Sequence, residues 1–256
     1  MKAKTMLMVM LVMIAATCIS SASTVLVDES FDSVADVSYT LKTTDTVTGT
    51  DAGNWIYDLR SGAGEGGFSG GKAVLTDMAT DTGVNARYIL FHTLSTPVSA
   101  ASVTNVEITA VITPDATATQ NFAVGIQADS EDLSETRYQI QINMKDQSGK
   151  YLMVFGAGSG QNGAGPETQK VAHTYRLTGL FTPKGDGTTD CNYTLVDQTD
   201  GSQNLSGTVN VAGEVLGTET FSKVQLFFNG KSVGTIDDVL VVMNVGTAVD
   251  DWILFD

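Results

Sequence analysis

Cysteine, histidine and proline are scarce in this sequence, whose 256 residues include two cysteines, two histidines and four prolines. Cys18 lies in an apolar N-terminal segment, so Cys191 is the one thiol left for the rest of the chain and no internal disulfide is expected. The two cysteines and two histidines are widely spaced and show no zinc-type Cys/His cluster. The sequence also lacks G-x-S-x-G, H-E-x-x-H and EF-hand patterns. We therefore expect Cys191 to be a small core residue.

Basic residues are few as well: 14 Lys and Arg stand against 29 Asp and Glu, which gives a net charge of −15. Such a surface repels nucleic acid and anionic lipid, so neither is an expected partner. It also disfavours strongly anionic polysaccharides unless a local basic patch or a metal ion intervenes.

Long apolar runs are absent after the N-terminus, so no later segment is expected to span a membrane. The first residues combine a basic start at Lys2 and Lys4, an apolar stretch over residues 6–19, and small residues that suit a cleavage site. This pattern predicts a signal peptide over 1–23, followed by a single domain over 24–256. The prediction places the protein outside the cell, at the cell surface or in the periplasm. A membrane anchor and a lipoprotein acylated on Cys18 are the alternatives.

Helix signals are nearly absent from the rest of the chain, whereas β-branched residues alternate with polar ones at short spacing. About fourteen short strands separated by turn residues predict an all-β, two-sheet antiparallel β-sandwich. The predicted strands are 24–31, 54–59, 72–76, 87–93, 103–113, 121–128, 137–145, 151–156, 173–182, 192–197, 205–211, 221–228, 235–243 and 250–255. Three segments are predicted to be loops because they are rich in glycine or acidic residues: 61–71, 129–135 and 156–166.

One strand, RYQIQINMK over 137–145, alternates cleanly between apolar and polar residues. The apolar set is predicted to face the core. Amide and cationic side chains can exchange hydrogen bonds with sugar hydroxyls, and they can equally coat an ordinary solvent face. The polar row consists of Arg137, Gln139, Gln141, Asn143 and Lys145.

The stretch GTIDDVLVV places two adjacent carboxylates, Asp237 and Asp238, in an otherwise apolar strand. Successive side chains of a strand point to opposite faces, so at most one of the two can lie on a single wet face. One explanation is that both cap local backbone donors. A metal site is the other.

The two ends of the chain, VLVDESFDS over 25–33 and GTIDDVLVV followed by AVDDWILFD, resemble the ends of concanavalin A-like (LamG-like) jelly-roll domains of exported bacterial proteins. The resemblance implies two face-to-face antiparallel sheets, neighbouring first and last strands, and often a structural calcium ion or a glycan ligand. Calcium takes six to eight oxygen ligands. The carboxylates that the resemblance would bring together are Asp28, Glu29, Asp32, Asp237 and Asp238.

Three functions are compatible with these features. The first is a non-catalytic domain that binds glycan or another extracellular surface, with Trp55 and Tyr57 stacking on sugar rings unless they are needed in the core. The second is a glycoside hydrolase or lyase of this fold. No strand carries the paired carboxylates typical of such hydrolases, and no His alternates with Gln139 and Gln141. The third is a structural envelope or matrix protein. Binding without catalysis is the favoured hypothesis.

Overall fold

The computed structural model describes residues 21–32, 36–41, 47–48, 55–61, 63–79, 87–116, 118, 121–128, 137–143, 152–156, 161–164, 172–215, 218–229 and 233–246. This part of the chain forms seventeen strands and one short 3₁₀ turn, Ala100–Ser102. None of its helical residues makes a segment long and apolar enough to cross a membrane. The strands are β1 Ser21–Glu29, β2 Val37–Leu41, β3 Val47–Thr48, β4 Trp55–Ser61, β5 Ala63–Phe68, β6 Ala73–Ala79, β7 Arg87–Ser99, β8 Val103–Pro114, β9 Asn121–Ala128, β10 Arg137–Asn143, β11 Leu152–Phe155, β12 Gln161–Ala164, β13 Tyr175–Pro183, β14 Thr188–Asp197, β15 Leu205–Ala212, β16 Thr220–Asn229 and β17 Gly234–Gly246.

The strands form two antiparallel sheets. Sheet A has the order β15-β14-β13-β8-β17-β6-β5-β2, with β1 also paired to β17. Sheet B has the order β12-β11-β10-β9-β16-β7-β4-β3. The predicted all-β, two-sheet antiparallel sandwich is therefore confirmed. The first and last described strands also pair as predicted, with Ser21 opposite Gly246 and Glu29 opposite Val239.

Two of the predicted loops contain strands. Ala63–Phe68 is β5, inside the predicted loop 61–71, and Gln161–Ala164 is β12, inside the predicted loop 156–166. β5 pairs with β2 on one side and β6 on the other, so main-chain hydrogen bonds hold a glycine-rich segment that local propensity disfavours. The strands β2 and β3 were not predicted at all. The predicted loop 129–135 and the predicted strand 250–255 lie outside the described residues.

The hydrophobic core fills the space between the sheets. From β10, Tyr138, Ile140 and Ile142 enter it, and the Tyr138 ring stacks on Phe181 of β13 with ring centroids 5.2 Å apart. Cys191 of β14 is fully buried in this core, as predicted. Burial raises the pKa of its thiol to about 12, so the thiolate needed for nucleophilic chemistry does not form at neutral pH.

The adjacent aspartates mark a β-bulge in β17. Before the bulge, β17 pairs with β6 through Gly234–Ile236; after it, the same edge pairs with β1 from Val239 onward. The register with β8 shifts between Asp237 and Leu240. Asp238 has φ 47, a left-handed conformation that Asp tolerates better than most residues. The bulge explains why two consecutive carboxylates fit into an otherwise apolar strand.

The bulge makes Asp238 replaceable by glycine but not by a β-branched residue. Asp238→Gly should leave stability nearly unchanged, because glycine adopts positive φ freely and the ion pair with Arg176, 3.1 Å away, is exposed. Asp238→Val should lower the free energy of unfolding by about 1–2 kcal/mol. Urea unfolding of both variants measures this. Equal destabilisation by Gly and Val would mean that the side-chain contacts, rather than the backbone conformation, select Asp238.

Candidate functional site

The polar residues of β10 lie on the outer face of sheet B, the face that points away from sheet A. Tyr138, Ile140 and Ile142 point into the core, as predicted. The alternating residues are not wet, however. Gln139, Gln141 and Asn143 are only 2%, 6% and 4% exposed. A buried polar group costs free energy unless it is hydrogen-bonded, so their partners decide what this face is for.

These amides form a linear chain of hydrogen bonds, which we call the amide chain and define as Gln225, Gln139, Gln141 and Asn143. Gln225 Nε2 donates to Gln139 Oε1 at 3.1 Å, and Gln139 Nε2 donates to Gln141 Oε1 at 3.1 Å. Gln141 Nε2 then donates to Asn143 Oδ1 at 2.6 Å. The amide chain thus runs along β10 and begins on β16.

Gly125 allows the amide chain to cross from β16 to β10. Gly125 of β9 lies between the two strands, opposite Gln225 on one side and Gln139 on the other. A Cβ atom there would stand 2.8 Å from the Tyr138 carbonyl oxygen and 3.1 Å from Gln139 Cβ. Because glycine leaves this space open, two long amide side chains meet above the intervening strand.

Aromatic and cationic groups flank the amide chain. On the β16 side, Ile89, Ala123 and Phe227 form a small apolar cluster with Phe91 packed against it. Lys223 Nζ lies 5.6 Å from the centre of the Phe91 ring, within reach of a cation–π interaction. The outer face therefore combines amides, an aromatic edge and a positive charge in a protein of strongly negative net charge.

Of the other predicted binding residues, Arg137 shares β10 with the amide chain, and the rest lie on β4 or outside the described residues. Arg137 begins β10 opposite Gln127. Tyr57 of β4 lies opposite Leu90, and Lys145 lies outside the described residues. Trp55 is 1% exposed and packs between Phe31 and His92 in the core, with ring centroids 5.6 Å and 5.3 Å away. Its ring therefore offers no face for a sugar.

The pairing of β1 with β17 brings the predicted calcium ligands to one part of sheet A, where three of them, Glu29, Asp237 and Asp238, have other partners. Glu29 Oε1 accepts the Phe31 backbone N–H at 2.8 Å. Asp237 Oδ2 lies 3.6 Å from Lys72 Nζ, and its Oδ1 accepts the Asp238 backbone N–H at 2.8 Å. Within the described ranges, the ligand atoms of Asp28, Glu29, Asp32, Asp237 and Asp238 do not gather in any group of three. Calcium binding stays a prediction.

A different group of potential ligands emerges from the fold: His173, Asp197 and Asp200, whose ligand atoms lie within 4.8 Å of one another. Sequence analysis missed it because the three residues come together only when β13 and β14 pair. His173 Nδ1 lies 3.1 Å and 3.0 Å from the two carboxylate oxygens of Asp197. Asp197 Oδ1 also accepts the Thr199 backbone N–H at 3.0 Å. The carboxylate thus holds the turn after β14, and an imidazole partner does not suit calcium, which prefers oxygen.

Burial makes the charge of Asp237 unfavourable in the folded protein. Burial raises the pKa of this carboxyl, the hydrogen bond from the Asp238 N–H lowers it, and the neighbouring Asp238 carboxylate raises it further. An acid whose pKa is raised on folding loses its proton more easily when unfolded. The free energy of unfolding therefore falls as the pH rises from the ordinary Asp range through the folded-state pKa.

Asp237→Asn keeps an oxygen acceptor for the Asp238 N–H and removes the charge. The variant should be at least as stable as the wild type at pH 7, and this advantage should vanish at pH 3, where Asp237 is protonated. Urea unfolding at both pH values, with millimolar calcium and with chelator, makes the measurement. A variant that is less stable at pH 7 would contradict the account, and loss of a calcium-dependent gain in stability would identify Asp237 as a ligand.

No protein-family model matches the sequence, and no curated protein matches it. Solved structures with a similar arrangement include peanut lectin with a 9mer peptide (10% identity, 82% of this chain and 97% of that chain, TM-score 0.47). Another is the CBM2 module of Lactobacillus casei BL23 phage J-1 evolved Dit (12% identity, 88% of this chain and 98% of that chain, TM-score 0.46). A third is a mutant of the alginate lyase Aly36B in complex with alginate trisaccharide (10% identity, 82% of this chain and 98% of that chain, TM-score 0.42). The fold of this chain is defined by its own sheet topology.

Proposed function

We propose that this protein is an exported, non-catalytic β-sandwich that binds a polysaccharide through the outer face of sheet B. The amide chain is the observation that carries the proposal. Stable packing of the sandwich needs only the inner face of β10, so the amides on the outer face are not required by the core. Buried amides are costly unless satisfied, and a row of them along one strand suits a ligand that offers many hydroxyls.

The amide chain has hydrogen-bonding capacity to spare. A primary amide has two N–H donors and two acceptor lone pairs. In Gln139 and Gln141, the bonds among described residues use one donor and one acceptor each. Gln225 Oε1 is buried and has no hydrogen-bond partner in the described part of the chain. Leaving such an acceptor unpaired costs about 1–3 kcal/mol, which a donating sugar hydroxyl would remove.

The charges on this face favour binding over hydrolysis. The outer face of sheet B carries the cation Lys223, and the strand register gives it one acidic position, Asp58 of β4, which lies opposite Ile89. A glycosidase of the usual kind needs two carboxyl groups roughly 5–9.5 Å apart across the scissile bond. The described face therefore supports recognition of hydroxyls, with Phe91 and Lys223 at its margin, and offers no acid–base pair.

The depth of the amide chain has a kinetic consequence. Because Gln139, Gln141 and Gln225 are almost closed to solvent, a ligand must displace the atoms that cover them. Binding that requires such a change is slower than docking to an open surface. We therefore propose slow association of the polysaccharide, with opening of this face as the limiting step.

The direct test compares Gln139→Leu/Gln141→Leu with a control on the opposite sheet, Asn192→Leu. Asn192 is exposed on β14 and is also hydrogen-bonded to a neighbouring side chain, Thr208. Affinity electrophoresis in gels containing neutral, acidic or amino polysaccharides measures retention. The wild type and Asn192→Leu should be retained alike by at least one neutral polysaccharide, and the double variant should bind at least tenfold more weakly.

Retention that is unchanged in the double variant would overturn the assignment of the outer face. The free energy of unfolding of each variant is measured alongside, so that loss of the fold is not mistaken for loss of the site. Release of new reducing or unsaturated ends would instead establish the hydrolase or lyase alternative. Self-association without retention on any gel would favour a structural protein.

Export rests on the predicted signal peptide. β1 already begins at Ser21, and Ser23 donates a side-chain hydrogen bond to Asn244 of β17. Cleavage after residue 23 would remove the first residues of this strand while leaving the pairing of Thr24 with Met243. The intact mass of the secreted protein identifies the cleavage site. A mass that corresponds to an acylated Cys18 would replace the signal-peptide proposal with a lipoprotein.

A further inference from the structure

A cleft opens between the two sheets, on the side of β7 opposite the amide chain. It has a volume of about 480 Å³, within the range of small-molecule pockets. β1 of sheet A forms one wall and the second half of β7 in sheet B forms the other. Its apolar lining consists of Val25, Leu26, Leu94 and Val98. Hydroxyl groups are contributed by threonines and a serine, among them Thr24, Ser95 and Thr96.

His92 lines this cleft and carries an unsatisfied nitrogen. Its Nδ1 is buried and has no hydrogen-bond partner among the described residues, and the same holds for Nε1 of Trp55. The two rings are in contact, with centroids 5.3 Å apart. Unpaired buried polar atoms are rare in proteins, so two of them on rings that pack against each other single out this part of the cleft wall. The amide chain does not account for these two unpaired nitrogens. His92 follows Phe91 in β7, and because Phe91 belongs to the outer face, His92 points to the inner face, away from the amide chain.

The surroundings of His92 Nδ1 and Trp55 Nε1 determine which chemical group could form hydrogen bonds with both. A hydroxyl both donates and accepts, so it can accept the Trp55 N–H and serve His92 Nδ1 in either tautomer. Burial lowers the pKa of His92, whereas Glu29 raises it, and the net lowering keeps the imidazole neutral at pH 7. The neighbouring Glu29 charge and the net charge of −15 disfavour an anion. An ammonium group is disfavoured by hydrogen bonding, because it has no lone pair that could accept the Trp55 N–H.

We infer that the cleft between β1 and β7 binds a small neutral molecule that has a hydroxyl group at one end and a short apolar body. The hydroxyl bonds to His92, which lines the cleft, and to Trp55 behind it once the atoms that close their buried nitrogens move aside, and the apolar body lies against Leu26, Leu94 and Val98. This site is independent of the proposed polysaccharide face, and its test does not involve a polysaccharide.

Hexan-1-ol is the probe, and NMR of the full chain is the measurement. The imidazole signals of His92 and the indole N–H of Trp55 should shift saturably, while those of His173, which is paired with Asp197, should not. Trp252→Phe assigns the Trp55 signal. Hexanoate at pH 7 should bind at least tenfold more weakly than hexan-1-ol.

Thr96→Trp fills the cleft and should weaken hexan-1-ol binding at least tenfold, whereas Thr194→Trp, an exposed strand threonine of sheet A, should leave it unchanged. Ser95→Phe is the second blocking variant if Thr96→Trp does not fold. The inference is overturned if neither His92 nor Trp55 shifts saturably in the wild type, if hexanoate binds as well as hexan-1-ol, or if a folded blocking variant binds normally.

Discussion

The structure depends on the main-chain pairing of one strand, β17. Its first edge is paired with β8 along almost its whole length, and its second edge is shared by β6 and β1. Ile236, Val239, Val241 and Met243 project from it into the core and are essentially unexposed. Most of the sequence separates β1 from β17, so this pairing closes the chain on itself and joins its two ends at the centre of sheet A.

The two faces of sheet B have different roles because only the inner face packs against sheet A. Its inner face supplies Tyr138, Ile140 and Leu226 to the shared core, and this packing stabilises the sandwich. Its outer face does not contribute to that core, so it can hold hydrogen-bonded amides that would be unfavourable between the two sheets. The cleft is a second consequence, because β4 pairs with β7 only as far as His92 and the remaining edge of β7 faces β1.

Much of the fold could be predicted from the sequence, because alternation of apolar and polar residues has a period that any half-buried strand must obey. The strand Asn121–Ala128 was predicted to the residue. The glycine-rich β5 was not, since glycine disfavours strands locally and this segment is held by its pairing with β2 and β6. The polar row of β10 was recognised, but its burial was not: alternation shows which residues share a face and says nothing about what covers that face. Trp55 and His92 were likewise predictable as strand residues, whereas their shared lack of hydrogen-bond partners required the three-dimensional structure.

The most direct measurement is NMR of the side-chain amides of the glutamines, with the polysaccharide that the protein retains most strongly. The account predicts that the NH₂ signals of Gln139, Gln141 and Gln225 exchange slowly with solvent in the free protein and shift most when the polysaccharide binds. Shifts confined to sheet A or to the cleft beside His92, with these three signals unchanged, would contradict it.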